Sequence, residues 1–395
     1  MKLKEIAIGY IEIPLVTPFK TALRTVNSVN DLIVKVTAED GTEGYGEAPP
    51  TAVITGDTKE SIEAAIRYYI APSITGMDLD DLPAIMAKME KCLAIDIGGS
   101  KVLVGVVDET GIVVEYDRKE YSSAYSLETL YADVKRMAAP YMEKYKPEIC
   151  GVSLPGPVNG DTGVCPLAPF LGIRDWHAAE DLKQILGIPV YAENDANACA
   201  VAEKVFGKAA DVDDFMWITV SNGVGGALYL NGSLYVGANF CAGEFGHIRV
   251  EEDGKACTCG KKGCLESVAS GRAVSAYYKE KTGQDRTAKE IGALANEGDE
   301  IAVAAYRRAA KALGAVIASA ATLLDVNVCY LGGGVSQSLD LFKDDLIAEI
   351  NDKLFLPIDK TVKIEYSGLG YYASLCGAAA VAYGANKQRE LNKGE

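Results

Sequence analysis

The chain has 395 residues, 49% of them hydrophobic and 24% charged, with a formal net charge of −16; this length predicts more than one globular core, because one domain usually has about 100–200 residues. The net charge argues against a nucleic-acid partner, although backbone amides and a metal ion can still hold a small phosphorylated ligand. No apolar run approaches the ~20 residues that cross a bilayer, and the first residues lack the apolar core of a secretory signal, so we expect a cytoplasmic protein.

The first part of the chain has a pattern of its own. Apolar and polar residues alternate over residues 5–13 and 31–37, which predicts antiparallel strands. After Gly46 the apolar spacing becomes helical, and a helix is predicted over 82–93. Residues 1–92 are therefore predicted to form a small α+β domain.

At Leu93 the period changes, and a buried strand over residues 93–99 ends in glycines. From there to about residue 388, strands and helices interleave, which is typical of an α/β fold. The further predicted strands are 102–107, 112–116, 148–154, 188–192, 214–221, 225–236 and 326–331, and the predicted helices are 126–144, 178–186, 194–205, 270–281, 298–324, 338–353 and 374–385.

A first glycine turn lies between two apolar strands, where Gly98, Gly99 and Ser100 precede Lys101. Glycines let backbone amides approach an anion, and Asp96 can hold a water molecule of a magnesium ion. The segment suits a nucleotide phosphate, although such a hairpin taken alone is a common turn.

Two more glycine loops follow buried strands, and neither matches the P-loop or the dinucleotide fingerprint. Three such loops, widely separated in the chain, are expected if two similar lobes hold one nucleotide. Three unrelated turns are the alternative. The residues concerned are Ser221, Asn222, Gly223 and Gly225 in the second loop and Gly332, Gly333 and Gly334 in the third.

A predicted strand ends in Glu193, Asn194 and Asp195, where a helical pattern begins. One interpretation is an N-cap, which Asn and Asp favour. The functional interpretation is that Asp195, at the carboxyl end of a strand, accepts the proton of a substrate hydroxyl as that oxygen attacks a γ-phosphate. The two interpretations are compatible, and Asp195 is the candidate general base.

Cys257, Cys259 and Cys264 follow His247 closely in the chain. In a cytosolic protein, clustered cysteines indicate a metal site rather than disulfides. Three thiolates and one imidazole predict a closed tetrahedral zinc site that holds an irregular loop in place.

Two glutamates, Glu244 and Glu266, flank the predicted zinc ligands in the sequence. Folding of the loop is expected to bring them together, and carboxylates at the edge of a cleft bind polyol hydroxyls well. Exposed glutamates without a ligand are the alternative.

Together these motifs, with Leu154-Pro-Gly156-Pro157, resemble the ROK family (repressor, open reading frame, kinase) of sugar kinases over residues 92–388. The resemblance implies an α/β actin-like ATPase (ribonuclease H-like) fold, in which two lobes close on ATP, magnesium and a hexose. The implied division is 93–208 with a C-terminal helix at about 370–388 for the first lobe, and 209–369 with the zinc loop for the second.

The resemblance also implies individual roles. Asp195 is expected to be the general base toward the 6-hydroxyl of glucose or of an N-acetylhexosamine such as N-acetylmannosamine. His247 would bind zinc through one ring nitrogen and the sugar through the other. ROK enzymes are commonly dimers or tetramers, so a homo-oligomer is expected. The implied sugar-binding residues are Gly156, Asn194, Asp195, Glu244, His247 and Glu266.

The chain departs from the family pattern in two places. The second loop has Ser221-Asn222-Gly223 where Gly-Thr-Gly is usual, which keeps a polar side chain but changes its reach. An asparagine found in glucokinase-like members is replaced near Pro169-Phe170. The second departure weakens the inference that the substrate is glucose.

Residues 1–92 resemble the capping domain of the enolase superfamily, particularly muconate-lactonizing enzymes and dipeptide epimerases. The similar segments are Thr-Pro-Phe-Lys at 17–20, expected in a loop after the first strand, and Gly-Tyr-Gly-Glu-Ala-Pro at 44–49. In that family the catalytic lysines and metal-binding carboxylates lie in a barrel, which this chain lacks, so epimerase activity is not expected. A sugar-sensing ROK regulator is the other alternative, and it is disfavoured because the N-terminal segment does not resemble a helix-turn-helix.

Overall fold

The computed structural model describes residues 1–20, 25–48, 59–80, 91–121, 125–168, 171–355 and 361–393. The chain forms two compact units. Unit 1 comprises Met1–Ala198, Ala202–Ala210 and Gly368–Glu395, and unit 2 comprises Cys199–Val201 and Asp211–Ser367. Among the described residues, none of the helices has the length and apolar character needed to cross a membrane.

Unit 1 begins with the predicted antiparallel sheet, whose strand order is β1-β2-β3. Its apolar residues Leu3 and Leu32 are fully buried. The sheet is followed by α1, a π-helical turn (Ala65–Ile70) and α2. The bounds are β1 (Leu3–Lys20), β2 (Thr25–Ala38), β3 (Glu43–Ala48), α1 (Lys59–Ala64) and α2 (Ala71–Ile74).

Two predictions for this region are wrong in part. Residues 17–20 belong to β1 rather than to a loop, and the strand continues past a register shift between Pro14 and Phe19. Most of the helix predicted over 82–93 lies outside the described residues. Its last part, residues 91–93, is strand, because the apolar run that follows is buried on both faces of a sheet.

The second sheet of unit 1 has the strand order β6-β5-β4-β7-β10. The strands β4, β5 and β6 are antiparallel, whereas β7 and β10 run parallel to β4. Every residue of β7 is buried, as expected for parallel strands covered on both faces. The strands are β4 (Lys91–Ile97), β5 (Lys101–Asp108), β6 (Val113–Glu120), β7 (Ile149–Leu154) and β10 (Val190–Asn194).

Helices pack on both faces of this sheet. Leu130, Val134 and Leu182 join the core on one face, and Leu375 and Ala378 join it on the other. A small hairpin of β8 (Cys165–Ala168) and β9 (Ile173–Trp176) was not predicted. The helices of unit 1 are α3 (Leu127–Tyr145), α4 (Ala178–Leu186), α5 (Asp195–Val205), whose middle residues belong to unit 2, and α12 (Ala373–Lys393).

The sheet of unit 2 repeats this topology, with the order β13-β12-β11-β14-β15. Again three antiparallel strands are followed by two parallel ones. The single strand predicted over 225–236 is wrong: Asn231 and Gly232, both with positive φ, form a hairpin turn inside it. The strands are β11 (Phe215–Val220), β12 (Val224–Leu230), β13 (Ser233–Tyr235), β14 (Val328–Gly332) and β15 (Lys363–Tyr366).

Helices supply most of the hydrophobic core of unit 2, and the long helix α9 contributes Tyr306, Leu313 and Ile317. Sequence reasoning predicted α7, α9 and α11 but missed α8 and β15. The helices are α6 (Glu266–Ala269), α7 (Gly271–Thr282), α8 (Ala288–Asn296), α9 (Glu300–Leu324), α10 (Ser336–Leu339) and α11 (Lys343–Lys353).

Candidate functional site

The first glycine turn joins β4 to β5 in unit 1, and the amide of Gly98 donates to the carbonyl of Lys101 at 2.9 Å. Asp96, at the end of β4, is buried. One of its carboxylate oxygens accepts from Ser153 Oγ at 2.9 Å and the other from Ser374 Oγ at 2.7 Å. Each oxygen has a further lone pair, so Asp96 can still accept from a water molecule of a magnesium ion.

Tyr121, which directly follows β6, fixes this turn. Its hydroxyl donates to the carbonyl of Gly98, its amide donates to the carbonyl of Ser100 at 2.9 Å, and its ring stacks on Tyr125. Burial, with a contribution from the charge of Asp96, raises the pKa of Tyr121 to about 12. The hydroxyl therefore stays protonated and remains a donor to the loop.

The strand β10 ends at Asn194, whose side chain is the N-cap of α5. Its Oδ1 accepts from the amides of Ala196 and Asn197 at 3.0 and 3.1 Å, so the N-cap interpretation is confirmed. Its Nδ2 donates to the carbonyl of Gly156 at 3.0 Å and to Oδ1 of Asp195 at 3.1 Å. The same oxygen of Asp195 accepts from the amide of Ala196 at 2.8 Å. Gly156, Asn194 and the half-buried Asp195 thus form one hydrogen-bonded group.

Glu193 is hydrogen-bonded to this group. It is buried, and its Oε1 accepts from the amide of Asn194 at 2.8 Å and from Nδ2 of Asn197 at 3.0 Å. Burial raises the pKa of Glu193, although these two hydrogen bonds oppose the shift. Glu193 therefore contributes to the position of the residues around Asp195.

The second and third glycine loops lie side by side in unit 2. The second, residues 221–223, joins β11 to β12 and is closed by a bond from the Ser221 amide to the Gly223 carbonyl at 2.9 Å. The third, residues 332–334, follows β14, which runs parallel to β11 with Thr219 opposite Gly332. Sequence reasoning predicted both loops, and the pairing of β11 with β14 brings them together.

The four predicted metal ligands His247, Cys257, Cys259 and Cys264 form one cluster, with their ligand atoms within 4.8 Å of one another. His247 Nδ1 lies 3.6 Å from Cys257 Sγ, and the sulfurs of Cys259 and Cys264 are 3.7 Å apart. A tetrahedral zinc ion with bonds of about 2.3 Å to sulfur and about 2.0–2.1 Å to nitrogen separates its ligands by about 3.5–3.8 Å. The cluster therefore fits such an ion.

The loop that carries these ligands has little regular structure. Short bridges hold it, including Ala256 with Lys262, and the amide of Val250 donates to the carbonyl of Gly263 at 2.7 Å. Gly263 has a φ of +73°, and a Cβ there would lie 1.8 Å from the carbonyl oxygen of Glu251. Only glycine fits this position.

The two ring nitrogens of His247 face different groups. Nδ1 faces the thiol of Cys257, whereas Nε2 lies 3.8 Å from Oε2 of Glu244. Loss of hydration raises the pKa of Glu244; the charge of His247 opposes the shift, and the charge of Glu266 adds to it. Glu244, Glu266 and Nε2 of His247 therefore lie near one another in unit 2, as the sequence predicts.

The candidate residues fall into two groups, one in each unit. The replaced segment near Pro169-Phe170 lies outside the described residues. Sequence reasoning missed hydrogen-bond partners of the candidate residues, such as Ser153 and Ser374, because they come from distant segments without a motif of their own. Unit 1 carries Asp96, Gly98, Gly99, Ser100, Lys101, Gly156, Asn194 and Asp195, and unit 2 carries Ser221, Asn222, Gly223, Gly225, Glu244, His247, Cys257, Cys259, Cys264, Glu266, Gly332, Gly333 and Gly334.

Two family models match the chain. The model described as "ROK family" matches residues 92–385, and that of the "Mandelate racemase / muconate lactonizing enzyme, N-terminal domain" matches residues 6–104. Both predicted resemblances are thereby confirmed.

Similar proteins support the first match. A glucokinase of Streptomyces coelicolor is 30% identical over 73% of this chain and 96% of its own length, and an N-acetylmannosamine kinase of Yersinia pestis is 35% identical over 62% and 84%. The crystal structure of a ROK family glucokinase from Streptomyces griseus, in complex with glucose and AMPPNP, is 31% identical, with a TM-score of 0.67 over 75% of this chain and 99% of that one. The predicted actin-like α/β fold is confirmed.

Proposed function

Because the chain belongs to the ROK family, we propose that it is an ATP-dependent sugar kinase that phosphorylates the 6-hydroxyl of a hexose or an N-acetylhexosamine. The observation that supports this most directly is the arrangement of Asp195. One of its carboxylate oxygens is held by Asn194 Nδ2 and the amide of Ala196 at the carboxyl end of β10. A carboxylate so oriented suits proton abstraction from an alcohol.

In the proposed reaction the sugar 6-oxygen attacks the γ-phosphorus of ATP, and the bond from that phosphorus to the β,γ-bridging oxygen breaks, so that ADP leaves. The hydroxyl proton passes to Asp195. Magnesium, when bound, neutralises charge on the phosphates. We assign its water ligand to Asp96, which Ser153 and Ser374 hold in place. We assign the phosphates to the three glycine loops.

We assign sugar binding to Gly156, Asn194, Asp195, Glu244, His247 and Glu266. In this structure Asn194 donates both Nδ2 hydrogens to Gly156 and Asp195, so its main contribution is to orient Asp195. The Nε2 of His247, on the side of Glu244, suits a sugar hydroxyl when a structural zinc ion holds Nδ1 together with Cys257, Cys259 and Cys264.

The remaining assignments concern organisation. We propose that residues 1–92 form a capping-type domain without its barrel. The lobes are then 93–208 with the helix at about 370–388, and 209–369. A homo-oligomer, as a dimer or a tetramer, is the expected state of assembly.

The test is an ADP-release assay of the full chain with magnesium and ATP against a panel of neutral hexoses and N-acetylhexosamines. We expect turnover with one or a few of them, most directly with glucose or N-acetylmannosamine, and only background ADP release without sugar. A folded, zinc-loaded protein that binds one of these sugars and never releases ADP would contradict the proposal and favour a sugar-sensing regulator.

A further inference from the structure

The carboxylate of Glu266, at the start of α6, accepts hydrogen bonds from three protein donors. Its Oε2 accepts from the amide of Val224 at 3.1 Å. Its Oε1 accepts from Thr258 Oγ1 at 3.2 Å and from Arg272 Nη2 at 3.3 Å. Only 14% of the side chain is exposed. Three donors from three segments of unit 2 therefore meet at one carboxylate.

Arg272 extends this connection to the second glycine loop. Its Nε donates to the carbonyl of Asn222 at 2.9 Å, while its Nη2 reaches Glu266. The loop also packs tightly on the carboxylate, because a Cβ at Gly223 would lie 2.5 Å from Oε2 of Glu266. The loop is thus bonded to the Glu266–Arg272 pair on both sides of Gly223, through Asn222 and Val224.

Thr258 connects Glu266 to the zinc loop. It lies between the zinc ligands Cys257 and Cys259, so its hydroxyl reaches Glu266 from within the zinc loop. The chain of bonds therefore runs from the zinc loop through Thr258 to Glu266, and from Glu266 through Arg272 to Asn222.

The number of lone pairs limits how many donors the Glu266 carboxylate can bind. An ionised carboxylate has about four acceptor positions. Thr258 and Arg272 occupy both positions on Oε1, and the amide of Val224 occupies one on Oε2. One position on Oε2 is left for a ligand hydroxyl, and its direction is set by the other three bonds.

We propose that Thr258 and Arg272 are positioning residues that orient Glu266 toward a sugar hydroxyl and link this carboxylate to the phosphate-binding loop. Binding of a sugar by Glu266 and binding of a nucleotide by residues 221–223 then assist each other. The proposal rests on the proposed sugar kinase function, because that function assigns ligands to both groups.

The role is one of orientation rather than of stability. The Arg272 side chain is 59% exposed, and an ion pair with such an exposed partner adds little to folding. Replacing Arg272 should therefore leave the protein folded and zinc-loaded while it loosens Glu266. Lysine cannot bond the Asn222 carbonyl and the carboxylate in the two-pronged way of a guanidinium, so it should restore the function only in part.

The experiment compares the full-length wild type with Arg272→Met, Arg272→Lys and Thr258→Val. The matched control is Lys279→Met, which removes a cation of similar exposure on the same helix α7, paired with Asp285. We expect Arg272→Met to raise the KM for the sugar about tenfold or more, with kcat changed less than about threefold. Thr258→Val should act in the same direction, Arg272→Lys should recover part of the loss, and Lys279→Met should match the wild type.

Calorimetric titration of the wild type with AMPPNP, with and without glucose or N-acetylmannosamine, measures the link between the two ligands. We expect the sugar to tighten AMPPNP binding several-fold in the wild type and not in Arg272→Met. Equal sugar KM values and equal coupling in wild type and Arg272→Met would overturn the proposal. A loss of zinc or of folding in that variant would overturn it too, because Arg272 would then be structural.

A further measurement does not depend on any activity. The Val224 amide is bonded to Glu266, so its hydrogen exchange reports whether that carboxylate is held. We expect exchange at Val224 about tenfold faster in Arg272→Met than in the wild type and in Lys279→Met. Unchanged exchange would overturn the positioning role even if no sugar is turned over, so this result separates a failure of the inference from a failure of the proposed function.

Discussion

The two five-stranded sheets have the same strand order but carry different chemistry at equivalent positions. In unit 1 the next-to-last residue of the central strand is Asp96, opposite Ser153 of the neighbouring parallel strand. In unit 2 the equivalent residue is Thr219, opposite Gly332. One sheet therefore has a buried carboxylate with a hydroxyl donor where the other has a neutral side chain beside a glycine. The topology determines where each glycine turn lies, and the side chains determine what the turn can bind.

The two glycine turns at equivalent hairpins also differ in what holds them. The turn of unit 1 is held by Tyr121, directly after β6, and the neighbouring Asp96 is held by Ser374 of α12. The turn of unit 2 is held by Glu266 and Arg272, and Glu266 is bonded in turn to the zinc loop. Damage to the metal site should therefore affect the ligand residues of unit 2 and leave those of unit 1 intact.

The largest expected effect comes from replacing Asp195, the candidate general base in unit 1. Asp195→Asn keeps an oxygen that can accept the Ala196 amide but cannot take a proton from the sugar. We expect kcat to fall about 10²–10⁴-fold, the usual contribution of general-base catalysis, with sugar affinity changed less than about threefold. Steady-state kinetics and sugar titration measure the two quantities. Asp211→Asn, at an exposed position, is the control, and a near-normal kcat for Asp195→Asn would remove its assigned role.

The next effect concerns the metal loop of unit 2. Cys264→Ser removes a ligand from a loop that has little regular structure of its own, so we expect loss of bound zinc and a destabilisation of more than about 2 kcal/mol. Sugar affinity should fall with it, whereas nucleotide contacts of the first glycine turn should persist. Elemental analysis and denaturant unfolding give the measurements.

The control for this change is Cys241→Ser, which alters an exposed cysteine of unit 2 outside the cluster. It should leave zinc content and stability unchanged. If Cys264→Ser keeps one zinc ion per chain and the stability of the wild type, the assignment of the metal site is wrong.

A smaller loss of stability is expected from changes at the equivalent positions of the two sheets, Asp96 and Thr219. Ser374→Ala removes one of the two hydroxyls that donate to the buried Asp96, and loss of a bond to a buried charge costs about 1–3 kcal/mol. The KM for magnesium-ATP should rise as well. Thr219→Val, at the position in unit 2 equivalent to Asp96, leaves no charge unpaired, so it should lower the free energy of unfolding by less than Ser374→Ala does. Denaturant unfolding of both variants measures the two losses of stability. Equal losses would contradict the contrast between the two sheets.

Much of the site could be predicted from the sequence because its signals are local. Cysteine spacing predicted the cluster of His247 with three cysteines, and glycines after apolar strands predicted the turns. The partners Ser153 and Ser374 could not be predicted, since each meets Asp96 only when distant strands and helices pack together. Arg272 lies near Glu266 in the chain but belongs to no motif.

The elements that were missed are short or lack a clear pattern. The strands β8, β9 and β15 have four residues each, too few for an alternation to stand out. The turn at Asn231 and Gly232 is different, because Asn-Gly between two apolar runs is itself a hairpin signal that the prediction of one continuous strand overlooks. Side-chain patterns thus predicted the long elements and the cluster of His247 and cysteines, whereas tertiary packing decided the short elements.

The smallest effect uses the second buried carboxylate of unit 1, Glu193. Burial raises its pKa, so the folded state binds a proton more tightly than the unfolded chain does. The stability that this gives is present at low pH and is lost as the pH rises through the raised pKa, because the charged form is then buried. Compared with Glu193→Gln, the wild type should therefore gain stability as the pH is lowered from 7 toward 5. Glu180→Gln is the control: the hydrogen bond with Lys183 lowers the pKa of Glu180, so this exposed carboxylate is charged in both the folded and the unfolded chain over this range, and Glu180→Gln should run parallel to the wild type. Denaturant unfolding of the three proteins across this pH range measures both slopes, and parallel curves for wild type and Glu193→Gln would mean that the buried carboxylate keeps its ordinary pKa.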